Sequence, residues 1–233
     1  DNVPLLAELS VMAQQFGVVN GKMTIEVNGR EYTLQQAAKF LESSDRDLRE
    51  QVFRKTYERR LQDRDTLDQL FNSLIAKRHQ VALNAGFSNY RDYKFEDLGR
   101  LARSFGADHV VDYTKEDCFQ FHAAVKEHIL PLVKNILEKQ QAKLQLDTLR
   151  PWDTEAEPEG IKPLEPFRTG EELITKAIGC FDQLGPFFGN CLRVMQQMGR
   201  LDLESRKGKA PGGYNCPLAE TGVPFIFMNA AGQ

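Results

Sequence analysis

Between Asp45 and Ala85 the chain contains neither glycine nor proline, the two residues that end helices most readily. Through this stretch Leu48, Val52, Tyr57, Leu67, Leu70, Leu74, Val81 and Ala85 recur at broadly helical spacing, and Gly86 stands where a C-terminal cap belongs. The spacing predicts one long helix. A chain that commits so many residues to one helix must build its core from helices packed against it.

The segments on either side agree. Leu5, Leu6, Leu9, Met12 and Phe16 predict a helix from about Val3 that Gly17 stops. Met23 to Val27 alternates apolar and polar, Asn28-Gly29 follows, and Arg30 to Thr33 returns. This is the pattern of a β-hairpin on a type I′ turn. Thr33-x-x-Gln36 opens a short helix to about Leu41, Tyr90, Tyr93 and Phe95 mark an aromatic helix, and Thr114-x-x-Asp117 caps another, which Pro131 should kink or divide. Residues 153–168 form a proline-bearing acidic surface connection (Pro158, Pro163, Pro166) that Ile161, Leu164 and Phe167 should hold down. Thr169 then caps a helix to Leu184, and Gly185-Pro186 separates it from a last helix that ends near Gly199. The tail is not helical: residues 205–213 are basic and glycine-rich, and Val223 to Met228 reads as a short strand. The fold class is therefore mainly α, with a small N-terminal β-hairpin and a short C-terminal β-strand. Residues 1–152 carry the hairpin and long helices, 153–168 the connection, and 169–233 the helices leading to the strand.

Composition bounds the function. The chain has 233 residues and a net charge of -3, so nothing in its charge balance draws it to nucleic acid or an anionic membrane. No apolar run approaches the roughly 18–20 residues that cross a bilayer. The start at Asp1, without an initiator Met or a signal peptide, suggests a chain that begins within a longer protein. Cys118, Cys180, Cys191 and Cys216 are irregularly spaced with no C-x-x-C pair, which favours reduced thiols and a cytoplasmic setting over a disulfide framework.

The residues that could carry chemistry read blandly by themselves. The four histidines, His79, His109, His122 and His128, include no His-Glu-x-x-His pair. His122 and His128, six apart, point about 120° away from each other on a helix, so no metal site is expected within the chain. Residues 205–213 lack the order of a phosphate loop, since Ala210-Pro211 follow Lys209 and no helix opens there; a mobile surface loop is the expectation. Gly212 and Gly213 would allow another backbone to approach closely. Cys216 has no His or acid beside it to activate the thiol. Phe187, Phe188, Tyr90 and Tyr93 read as core.

Two tail segments, Leu201 to Tyr214 and Val223 to Gly232, resemble the approach to the active site in oligoendopeptidase F-like zinc metallopeptidases, relatives of thimet oligopeptidase. Met23 to Val27, Thr33 to Ala38, Glu116 to His122 and Leu149 to Asp153 fit the same family pattern in order. The resemblance implies a helical zincin-like peptidase fold in which a strand like Phe225–Asn229 precedes a helix bearing His-Glu-x-x-His, and the chain ends at Gln233 before any such motif. It further implies zinc in the full-length parent, with none bound by this chain alone, and no catalytic residue within it. The implied partners are an oligopeptide substrate and the remaining C-terminal part of the same polypeptide. The implied contribution is a wall of the substrate cleft, with Phe227, Met228, Asn229 and Ala230 on an edge strand that pairs with the peptide and Gly212, Gly213 and Tyr214 closing beside it. The competing expectation is a helical binding or scaffold domain without catalysis.

Overall fold

The computed structural model describes residues 2–98, 101–102, 109–110, 113–161 and 164–231, with only the backbone of 101, 102, 109 and 110. Pro163, Gly232 and the side chain of His109 lie outside the described residues. The chain divides into two compact units, Asp1–Phe16 with Arg64–Leu149, and Gly17–Asp63 with Arg150–Gln233.

Helix α1 spans Val3–Gly21 and passes through Gly17, which therefore does not stop it. In the first unit, Leu9 of α1 is buried with Leu74 and Val81 of α4 (Arg64–Asn84), and Leu5, Met12, Leu70, Tyr90 and Tyr93 pack around them. Each such burial is worth about 1.5–3 kcal/mol. Asn2 donates to the Val81 carbonyl at 3.0 Å, and Glu8 pairs with Lys77. Gly86, at φ 84°, ends α4 as its position predicts. Helix α5 (Tyr90–Asp97) is capped by Asn89 and followed by the two-residue strands β3 (Leu101–Ala102) and β4 (His109–Val110). Thr114 and Asp117 form a reciprocal capping box on α6 (Lys115–Ala124). The expected helix is divided in two next to Pro131, as the proline predicts. A π turn over Val125–Ile129 lies between α6 and α7 (Leu130–Lys143), with the proline in the first turn of α7.

In the second unit β1 (Thr24–Val27) pairs with β2 (Arg30–Thr33), and Asn28 and Gly29 both have positive φ, at 52° and 76°, as a type I′ turn requires. Thr33 caps α2 (Leu34–Ala38) in the predicted box with Gln36, and a 3₁₀ turn continues to Glu42. The long stretch expected to be one helix is two: α3 (Arg46–Gln62) and α4, parted at Asp63, whose ψ of 10° leaves the helical region. No glycine or proline marks that break, so periodicity alone runs straight through it. Met23, Ile25, Val27, Ala37 and Val52 are buried where α2 and α3 pack on the hairpin.

Of the residues expected to hold the connection after Asp153, only Phe167 is partly buried. Leu164 is 85% exposed and Ile161 is also exposed. The anchors are Asp153 and Ala156, both buried, and the Glu157 amide, which donates to the Glu42 carbonyl at 3.1 Å. Helices α8 (Gly170–Leu184) and α9 (Pro186–Gln197) form a hairpin about Gly185. Phe187, 73% exposed, and Phe188 are surface residues and not core: they stack edge to face on each other at the start of α9. The Cys118, Cys180, Cys191 and Cys216 thiols are all free.

Candidate functional site

The tail forms a three-stranded sheet in the order β5 (Leu201–Glu204), β7 (Phe225–Ala230), β6 (Tyr214–Cys216). The strand expected at the edge is thus the middle one. It pairs in parallel with β5 and antiparallel with β6, two short strands that the sequence reading did not include. One signal was available for β5: Leu201-Asp202-Leu203-Glu204 alternates apolar and polar.

The register of β5 on β7 breaks. Asp202 faces Phe227 while Glu204 faces Ala230, so two steps along β5 match three along β7, and the extra residue lies at Met228–Asn229. This is a β-bulge, which bends a strand and re-aims its side chains. The carbonyls of Asp202, Glu204 and Met228 converge there on one point, the ammonium of Lys209, at 3.0, 2.8 and 2.5 Å. The Asp202 carboxylate adds a fourth acceptor at 3.0 Å, and the Lys209 side chain is only 2% exposed. Two hydrogen bonds from Arg206 pull the Asp202 carboxyl down to about 2, against burial that pushes it up and with help from Lys209.

Residues 205–213 are consequently an anchored segment and not a mobile loop. Ser205 is buried, shares a 2.9 Å hydrogen bond with Thr33 and donates its amide to Ala230. The Gly208 amide donates to the Gly21 carbonyl at 2.7 Å. A Cβ on Gly21 would lie 2.8 Å from the Lys209 carbonyl oxygen, and one on Gly17 would lie 3.1 Å from the Ala210 side chain. The end of α1 carries glycines because this segment lies directly against it. On the far side, the Asn229 amide donates to the carbonyls of Ala210 and Gly212, both at 2.8 Å.

The residues expected to meet a peptide are therefore brought together in different roles. Asn229 spends its side-chain amide on the 210–212 backbone, and Ala230 is held between Glu204 and Ser205. Phe227 is half-buried, with its ring 4.5 Å below the Lys209 ammonium and stacked on Tyr214 at 4.9 Å and 7°. Met228 is partly exposed at the bulge. Gly212 and Gly213 are exposed and lead into β6, with Gly213 close enough to the Phe227 carbonyl that a Cβ would meet it at 3.1 Å. The two outer strands differ: Glu204 of β5 accepts from the Gly170 amide at the start of α8, whereas Tyr214 and Asn215 of β6 are exposed. The Ile226 amide bonds to Arg200 on the β5 side, so Phe227 and Phe225 direct their backbone groups to Tyr214 and Cys216. Pleat alternation then turns the amide and carbonyl of Asn215 outward. Sequence reading missed Lys209, since nothing in a basic glycine-rich run distinguishes a buried lysine from its exposed neighbours, and Asn215, whose strand it did not include.

Among the described residues, no group of three or more His, Cys, Asp or Glu side chains is placed to hold a metal ion. No described helix is long and apolar enough to cross a membrane.

Compared with known proteins, residues 39–233 match the model of peptidase family M3. No curated protein matches the chain. It is similar to a solved structure described as an oligoendopeptidase F, at 26% identity and a TM-score of 0.88, over 99% of this chain and 39% of that one. It is also similar to Pz peptidase A with an inhibitor, at 26% identity and 0.88, over 100% of this chain and 40% of the other. A Bacillus anthracis str. Ames protein described as an oligoendopeptidase F, 23% identical with a TM-score of 0.85 over 99% and 40% of the two chains, shares the fold. The chain spans about 40% of the length of these solved chains.

Proposed function

This chain belongs to peptidase family M3, and we propose that the full-length protein is a zinc-dependent endopeptidase that hydrolyses oligopeptides, with its zinc ligands outside these residues. The chain supplies part of the cleft wall. The observation that carries its own role is the exposed strand β6, whose Asn215 backbone groups face away from β7. A strand edge of this kind binds an extended peptide through backbone hydrogen bonds that read no sequence, which suits an enzyme acting on many short peptides. Gly212 and Gly213 keep the approach free of side chains, Tyr214 offers an aromatic face beside it, and Phe227 supports that face from below. Met228 is the one residue of the bulge that could touch a bound peptide directly; Asn229 and Ala230 act behind it. The free thiols fit a reducing, cytoplasmic setting.

The test is Asn215→Pro in the full-length protein. Proline is tolerated on an edge strand and removes only the outward amide. KM for an internally quenched oligopeptide should rise roughly two- to tenfold, the value of one backbone hydrogen bond, with kcat little changed. Unchanged KM in a folded variant removes β6 from the substrate site. Hydrolysis that survives exhaustive chelation removes the zinc, and a full-length protein that binds peptides but never cuts them is a scaffold instead.

A further inference from the structure

A buried ammonium costs several kcal/mol in desolvation unless its donors are fully used. A small sheet that needed only stability would do as well with an apolar side chain at that position. Lys209 is placed otherwise. Its Nζ sits in the β5–β7 bulge with three main-chain carbonyls and one carboxylate within 3.0 Å, and its charge lies over the Phe227 ring. Those three carbonyls belong to residues on both sides of the register break, so Lys209 bonds to both strands at the place where they could slide. A one-residue slip would turn Phe227 to the opposite face of the sheet and take away the ring on which Tyr214 stacks.

Resting on the reading of β6 as the substrate edge, we propose that Lys209 is a positioning residue: it locks the bulge at Met228–Asn229 and, through Phe227, holds Tyr214 and Asn215 where a peptide strand docks. It does not touch the substrate. Its contribution to binding is the fixed register of the strand behind the edge, and Asn229 closes the same device from the other side by holding the backbone of Ala210 and Gly212.

The experiment compares Lys209→Met with Lys207→Met in the full-length protein. Lys207 lies in the same segment but pairs at the surface with Glu31, so it controls for charge. Hydrogen exchange followed by mass spectrometry should show faster exchange in Lys209→Met over residues 210–216 and 225–230, with the α8–α9 hairpin unchanged. KM for an internally quenched oligopeptide should rise roughly tenfold while kcat holds, the signature of lost substrate binding. A merely structural lysine would lower the active fraction, and hence kcat, and leave KM alone. If Lys209→Met does not fold, Phe227→Leu removes the ring between the ammonium and Tyr214 at similar volume and should give the same KM effect. Unchanged exchange over 210–230, or a fall in kcat at constant KM, overturns the proposal. A wild-type protein that cuts no peptide refutes the function beneath it, and the proposal with it; the exchange data then tell that failure from a failure of the lock.

Discussion

Arg49 and Asp153 form an ion pair at 2.8 Å with 3% and 0% of their side chains exposed. Arg49 also donates to the carbonyls of Ser43, Ser44 and Trp152, so the end of the 3₁₀ turn, the start of α3 and the Pro151–Asp153 turn meet on one guanidinium. Arg46 and the Arg150 amide complete the coordination of the carboxylate. Removing one member of a buried pair strands the other. Arg49→Met should therefore destabilise the fold by about 3–5 kcal/mol, read by chemical denaturation. Arg46→Met, at a partner 40% exposed, should cost clearly less; equal losses would show that burial does not set the cost.

The same carboxylate has a pH signature. Burial pushes the Asp153 carboxyl up, but hydrogen bonds from Arg46, Arg49 and the Arg150 amide outweigh it and hold its pKa below the ordinary carboxylate value. A lowered folded pKa means that the stabilisation is complete above the unfolded value, near 4 for an aspartate, and is lost as pH falls through the folded one. The stability gap between wild type and Asp153→Asn should thus be constant at neutral pH and close progressively below about pH 4. A gap that stays open at low pH would place the cause elsewhere.

Gly21→Ala should damage the site from a distance. Its Cβ would stand 2.8 Å from the Lys209 carbonyl oxygen and 2.9 Å from the carbonyl carbon, both backbone atoms with little room to move. Overpacking of this kind costs about 1–3 kcal/mol. Because the helix would otherwise gain from alanine, a net loss in thermal stability is a clean reading of the contact, and a net gain would refute it.

Local signals in the sequence proved reliable where a few neighbouring residues decide the outcome. Asn28-Gly29 makes its turn, Thr33 with Gln36 and Thr114 with Asp117 make their boxes, and Gly185-Pro186 separates two helices. What sequence reading missed depends on partners far along the chain. Gly17 looks like a stop until residues 208–210 are laid against α1, and Lys209 looks like a surface charge until β5 and β7 close around it. The middle position of β7 follows from β5 and β6, four and three residues long, of which only β5 shows an alternation and neither shows its partner. The sequence pointed to the segments around Gly212–Tyr214 and Phe227–Ala230, but not to Lys209, Asn215 or the order of the strands that carry them.

Thr33 joins the two kinds of signal. Its hydroxyl caps α2 by accepting from the Gln36 amide at 3.2 Å, which the capping pattern predicts, and it also shares a 2.9 Å hydrogen bond with Ser205, which no local pattern shows. Thr33→Val keeps the shape and removes both, at a cost of about 1–2 kcal/mol for the cap and a further 1–3 kcal/mol for leaving the buried Ser205 hydroxyl without that partner. Ser205→Ala removes the second bond alone. If the hydroxyl pair ties the hairpin end to the tail sheet, the double variant should cost less than the sum of the two single ones, because the shared bond is counted once. Strict additivity in denaturation would mean that Thr33 acts on α2 only.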